Sequence, residues 1–116
     1  MDALKILLKK PRVKFNIISP REARQMMKDS DNYVLLDVRA PSEYAQVRID
    51  GAKLIPVDEL GQRAPEELPD KHIPILVYCH SGMRAERAAE MLVHMGYTEV
   101  FSFGGIMNWP YETVKG

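Results

Sequence analysis

The chain has 116 residues, 46% hydrophobic and 28% charged, and its 16 basic and 16 acidic side chains cancel to a formal net charge of +0. That length suits one core rather than two, the apolar share is too high for a disordered chain, and balanced charge excludes a dedicated nucleic-acid binder. A single cysteine excludes an internal disulfide framework and a cysteine-rich metal site.

Residues 1–14 form a basic leader, with Lys5, Lys9, Lys10, Arg12 and Lys14 against Asp2 alone. Lys5 breaks its apolar run short of the roughly 7–15 residues of a secretory core, and no stretch reaches the ~20 residues of a membrane span. It reads as a solvated flank to a single domain over residues 15–116. A chain without disulfide partners fits a reducing cytoplasm.

Val13 to Ile18 alternates as a first strand. Ser19-Pro20-Arg21-Glu22 then opens a helix, with Ser19 as cap, Pro20 in the first turn and Glu22 closing a capping box. Ala23, Met26 and Met27 supply its apolar stripe. Tyr33 to Leu36 is a near-continuous apolar run, the mark of a strand covered on both faces. Pro41 to Tyr44 starts a short helix, and Gly51 to Pro56 reads as a turn with a brief edge strand. Val57 to Leu68 is predicted as a broken helical stretch, interrupted by Gly61 and Pro65. Ile73 to Tyr78 is the strongest strand. Gly82 to Met95 is the strongest helix, with Ala85, Ala88, Ala89 and Leu92 on one face and Gly96 past its end. Glu99 to Phe103 gives a last strand, followed by Gly104-Gly105 and a short helix holding Trp109. Alternation of strand and helix predicts an α/β domain with a mainly parallel sheet.

Ligands of open parallel sheets bind beyond the carboxyl ends of the strands. Cys79 closes the predicted strand Ile75-Leu76-Val77-Tyr78, and His80-Ser81-Gly82-Met83-Arg84 turns into the helix. Backbone N–H groups of such a turn make an anion-binding nest at the positive end of the helix, and Arg84 adds a cation. Surroundings of this kind lower a thiol's pKa, and thiolate is the reactive form. Cys79 is thereby a candidate nucleophile, set against the plain alternative of a small buried core residue.

Cys79-His80-Ser81-Gly82-Met83-Arg84 resembles the active-site loop of rhodanese-domain sulfurtransferases. Three further pieces in order resemble the same family: Leu35-Leu36-Asp37-Val38-Arg39 followed by Glu43-Tyr44, then Ile49-Asp50-Gly51-Ala52 leading to Ile55-Pro56, then Gly104-Gly105-Ile106-Met107-Asn108-Trp109. The resemblance spans residues 17–109. It implies a rhodanese-like three-layer sandwich, a five-stranded mainly parallel sheet flanked by helices. It also implies that a Cys79 persulfide carries sulfane sulfur from thiosulfate or a similar donor to cyanide or a thiol. The implied loop places the amides of Ser81, Gly82, Met83 and Arg84 around that persulfide, with a small-molecule or protein donor and acceptor and neither metal nor organic cofactor.

Rival readings differ in chemistry. A cysteine-dependent phosphatase or arsenate reductase of similar loop has five residues between Cys and Arg, where this chain has four. It would also need a general acid, for which Asp37 and Asp58 are candidates. A regulatory or docking module, or a carrier serving one protein partner, is the other reading. Asp37, Arg39 and Glu43 read as structural support, with Arg39 pairing Glu43 to fix the loop after its strand. His80 either tunes or contacts the nucleophile or stands on an exposed rim. It also stands where relatives carry Arg or Lys, which makes the pocket less positive toward dianionic thiosulfate. Val47-Arg48 replaces the Gly-His of many relatives. His72 and His94 lack metal-ligand spacing, Met91 and Met95 read as packing residues, Arg87 and Glu90 as a solvated pair, and Trp109 as a core anchor.

Overall fold

The computed structural model describes residues 14–116. The expected leader, apart from Lys14, and Val13 of the first expected strand lie outside the described residues. Strand β1 is Asn16–Ile17, followed by helix α1 (Pro20–Asp29), β2 (Val34–Asp37), α2 (Pro41–Gln46) and β3 (Lys53–Leu54). A 3-10 turn over Val57–Glu59 leads into α3 (Leu60–Glu67), and β4 (Ile75–Cys79), α4 (Met83–His94) and β5 (Val100–Gly105) follow, with a closing 3-10 turn at Ile106–Asn108.

Helix α1 starts as its sequence dictates. The Glu22 N–H donates to Ser19 Oγ and the Ser19 N–H to Glu22 Oε1, both at 3.0 Å, so two donors without helical partners are satisfied reciprocally. The stretch expected to break behaves differently. After the 3-10 turn, α3 runs unbroken through Gly61 and Pro65. Proline removes one helical N–H there, and Leu60, Ala64 and Leu68 bury a continuous stripe four residues apart. Burial of the two leucines alone outweighs one solvent-side hydrogen bond, at roughly 1.5–3 kcal/mol each.

All four strand pairings are parallel, in the order β1-β5-β4-β2-β3. The sheet is buried on both faces, as parallel sheets are. Leu36, Ile75, Val77 and Cys79 face α3 and α4, where Leu60, Ala64, Ala85, Ala88, Ala89 and Leu92 pack. Leu35, Leu76, Tyr78 and Phe103 face the opposite layer, which takes Ala23 of α1, Tyr44 of α2, Ile49 and Trp109. This is the three-layer α/β sandwich that the resemblance implied. Trp109 lies just beyond the last 3-10 turn rather than inside a helix, its ring between Phe103 at 5.5 Å and Tyr111 at 4.9 Å. No described helix is long and apolar enough to cross a membrane.

The strand order reverses between β2 and β4. From β2 the chain moves outward to β3, and from β4 it moves the other way to β5, so the connections leaving Asp37 and Cys79 part on opposite faces and open a crevice between them. One wall is fixed by a buried ion pair. Arg39 Nε and Nη2 reach the Asp37 carboxylate at 3.0 and 2.7 Å, the Arg39 N–H donates to Asp37 Oδ1 at 2.9 Å, and Nη2 also meets the Val47 carbonyl at 2.6 Å. Neither residue is more than 2% exposed. The expected pairing of Arg39 with Glu43 is thereby corrected, because the carboxylate two residues back already occupies the guanidinium fork.

Removing one member of a buried pair strands the other charge. Asp37→Ala is therefore expected to destabilise the fold by about 3–5 kcal/mol in urea unfolding at pH 7. A loss below about 1 kcal/mol would contradict a structural role for the pair.

Candidate functional site

Cys79 ends β4 and is 1% exposed. The chain bends through His80 and Ser81, both exposed, and Gly82 stands at the boundary of α4 with φ +122°, a conformation that residues with a side chain rarely adopt. That bend turns the Gly82 N–H onto Cys79 Sγ at 3.0 Å. Among the described residues this is the only hydrogen bond that Sγ accepts. Met83 and Arg84 occupy the first turn of α4, where N–H groups have no partner within the helix.

The bend is held from outside by β5 and by the 3-10 turn at its end. A Cβ on Gly105 would stand 1.9 Å from the His80 carbonyl oxygen and 2.5 Å from the Ser81 nitrogen. The Met107 N–H then donates to that same His80 oxygen at 3.1 Å. Gly105 has an ordinary extended φ of −138°, so the position requires space rather than unusual backbone freedom. Sequence reasoning matched Gly104-Gly105 to a family element without finding this role. Two adjacent glycines ending an otherwise apolar strand were the available signal.

Arg84 does not stand as a free cation. Its Nη1 and Nη2 meet Glu43 Oε1 and Oε2 at 2.7 and 2.9 Å, a two-point ion pair that ties α4 to α2 across the crevice. Glu43 Oε1 also accepts the Ala40 N–H at 2.9 Å. The bonds from Arg84, opposed by desolvation and helped by the Ala40 N–H, lower the Glu43 carboxyl from 4.5 to about 2, so it is charged throughout the neutral range.

Tyr78 was not singled out from the sequence. Its hydroxyl accepts the Ile49 N–H at 3.1 Å, its ring lies 5.6 Å from the Arg39 guanidinium, and burial, reinforced by the Asp37 charge, raises its phenol. A cavity of about 240 Å³ adjoins the pair, lined by Val38, Arg39, Val57, Asp58, Glu59 and Arg84 among others. Met83 (83% exposed) and Met107 (61%) stand on the rim of the bend. The other expectations sort simply. His72 and His94 are exposed, Met91 and Met95 pack against the α3–α4 layer, and Arg87 and Glu90 form no ion pair among the described residues. Arg48 pairs through its backbone with Val114, which docks the C-terminal tail beside α2. Among the described residues no group of three His, Cys, Asp or Glu is placed to hold a metal ion.

A family model described as Rhodanese-like domain matches residues 19–111, and the chain belongs to that family. It is 40% identical over 81 residues to the thiosulfate sulfurtransferase PspE of Escherichia coli, covering 70% of this chain and 78% of that protein. It is 36% identical over 93 residues to the thiosulfate sulfurtransferase GlpE of Coxiella burnetii, covering 79% and 84%. A solved structure of a rhodanese with anions from E. coli superposes with a TM-score of 0.68 at 38% identity, over 72% of this chain and 99% of that one.

Because Gly105 touches backbone, its replacement has no flexible side chain to displace. Gly105→Ala is expected to lower stability by about 1–3 kcal/mol, the range for overpacking, and to speed alkylation of Cys79 by lifting the bend off β5. Unchanged thermal unfolding together with an unchanged iodoacetamide rate would refute the contact's role.

Proposed function

We propose that this protein is a sulfurtransferase that carries a sulfane sulfur as a persulfide on Cys79. The observation that carries the reading is the seating of Cys79 Sγ at the end of β4, bonded by Gly82 N–H at 3.0 Å and facing the first turn of α4. A sulfur bonded to Sγ lies about 2.05 Å further out, toward donors that the thiol itself does not engage. The first-turn amides of Met83 and Arg84 and the positive end of the helix would then stabilise charge on that outer atom.

The reaction has two half-steps. In the first, the Cys79 thiolate attacks the outer sulfur of a sulfane donor, and the bond from that sulfur to the donor breaks with its electron pair. From thiosulfate, the donor in the names of the PspE and GlpE relatives, sulfite would leave. In the second, cyanide or a thiol attacks the outer sulfur and the thiolate is restored. Arg84 lies at the mouth and Glu43 orients it, while Asp37 and Arg39 hold the opposite wall. His80, Ser81, Gly82 and Met83 form the substrate-side turn. Four residues between Cys79 and Arg84, and a thiol this deeply buried, favour delivery of one sulfur atom over seating of a phosphate ester. A free cysteine fits work in the cytoplasm.

Covalent transfer predicts ping-pong kinetics, with parallel double-reciprocal lines when donor and cyanide are varied and thiocyanate is measured. Cys79→Ser is expected to keep the wild-type circular dichroism spectrum and to form no thiocyanate above the uncatalysed rate. Activity retained in that folded variant would overturn the assignment.

A further inference from the structure

Away from the turn that carries Cys79, an open groove of about 420 Å³ lies between α3 and α4. It is lined by Gly61 in the first turn of α3 and by Arg87, Glu90, Met91, His94 and Met95 along the second half of α4 and its end, and its surface is mostly apolar. Arg87 and Glu90 offset each other in the lining, so apolar contact rather than charge selects what fits there. Gly61 has no need of its glycine within the described fold. Its φ is not positive, and a Cβ there would meet no described atom within 4 Å. Alanine would serve a helix better at such a position. The missing side chain keeps the groove floor at backbone level, as glycine does where another group approaches the main chain closely.

Where the described chain starts points to the occupant. Lys14 is its first residue, and Phe15 packs on the cluster beneath α3 and α4 rather than on the opposite layer. Asn16 pairs with Phe101 near the start of β5, the end of the sheet at which α4 finishes. The chain preceding Phe15 therefore meets the fold on the face, and at the end, where Met91, His94 and Met95 lie. Leu8 stands six residues before Lys14, a reach of about 20 Å when extended, against roughly 10–12 Å for the width of a helix. Leu4, Leu7 and Leu8 are spaced so that one helical turn would gather them on one side, with Lys5, Lys9 and Lys10 on the other.

We propose that the groove between α3 and α4 is the seat of the chain's own first residues, with Leu4, Leu7 and Leu8 against Gly61, Met91 and Met95. Lys10, which precedes Pro11, is biased toward extended backbone and leads the segment back to Lys14. Tethering holds the segment near the groove at a high effective concentration, so a modest apolar contact suffices. The basic stretch read as a solvated flank then has one covered side and braces α3 against α4, the helix whose first turn follows the Cys79 bend.

Methyl NMR on the full chain, labelled at methionine and leucine methyl groups, tests the contact. Nuclear Overhauser effects are expected between the Met91 and Met95 methyls and those of Leu4, Leu7 or Leu8, unchanged on dilution. Leu7→Asp is expected to shift the Met91 and Met95 signals while those of Met83 and Met107 stay in place. Gly61→Leu fills the groove at a position where α3 has room for a side chain. It is expected to abolish the leader contacts and to speed trypsin cleavage after Lys9 and Arg12 about tenfold, since cleavage follows the population of the released segment. Absence of any effect between the leader leucines and the groove methionines, or Met91 and Met95 signals unmoved by Leu7→Asp, would overturn the proposal. Contacts that fade on dilution would assign the groove to a second copy and overturn it equally.

Discussion

Backbone lies directly on backbone where the turn after β4 meets the end of β5, and the placing of the thiol depends on that contact. Gly105 leaves no room for a side chain against His80 and Ser81, and Met107 ties down the His80 carbonyl. With its outer side fixed, the turn can bring the Gly82 N–H back onto Cys79 Sγ. A contact between main chains tolerates little adjustment, because neither partner can change rotamer to relieve it. A local motif, Cys79 to Gly82, is therefore completed by residues more than twenty positions away in the chain.

Across the crevice, two ion pairs do different work. Asp37–Arg39 is sealed between the layers and fixes the path from β2 into α2. Glu43–Arg84 is partly exposed and links α2 to α4, so it joins the two connections that the reversal of strand order sends apart. A buried pair constrains by the penalty of leaving either charge alone, whereas an exposed pair contributes little to stability and matters through what it does to local charge. The same four residues thus fix the two connections that flank the crevice.

Much of this was legible in the sequence, and most of what was not depends on contacts between residues distant in the chain. The mainly parallel sheet followed from the alternation of strand and helix patterns, the three-layer sandwich from the family resemblance, and the start of α1 from Ser19 and Glu22, since local patterns and caps act within a few residues. Cys79 was recognisable from its place between a buried strand and a long helix. Arg39 was assigned to Glu43 although Asp37, two positions back, fills its fork; the partner of Arg84 was not legible, because Glu43 and Arg84 are 41 positions apart and meet only once the crevice exists. Gly105 escaped for the same reason: its neighbour is a loop that chain order does not reveal. The helix over Leu60–Glu67 survived Pro65 because burial of Leu60, Ala64 and Leu68 outweighed a local rule.

The central claim is that the sulfur in transit is covalently held on Cys79. Intact-mass measurement of the protein after incubation with a sulfane donor, then after cyanide, tests it most directly. The expected result is a gain of one sulfur atom, mapped by peptide analysis to Cys79, absent in Cys79→Ser and removed by cyanide with release of thiocyanate. Thiocyanate formation without any sulfur gained on Cys79 at any donor concentration would contradict it.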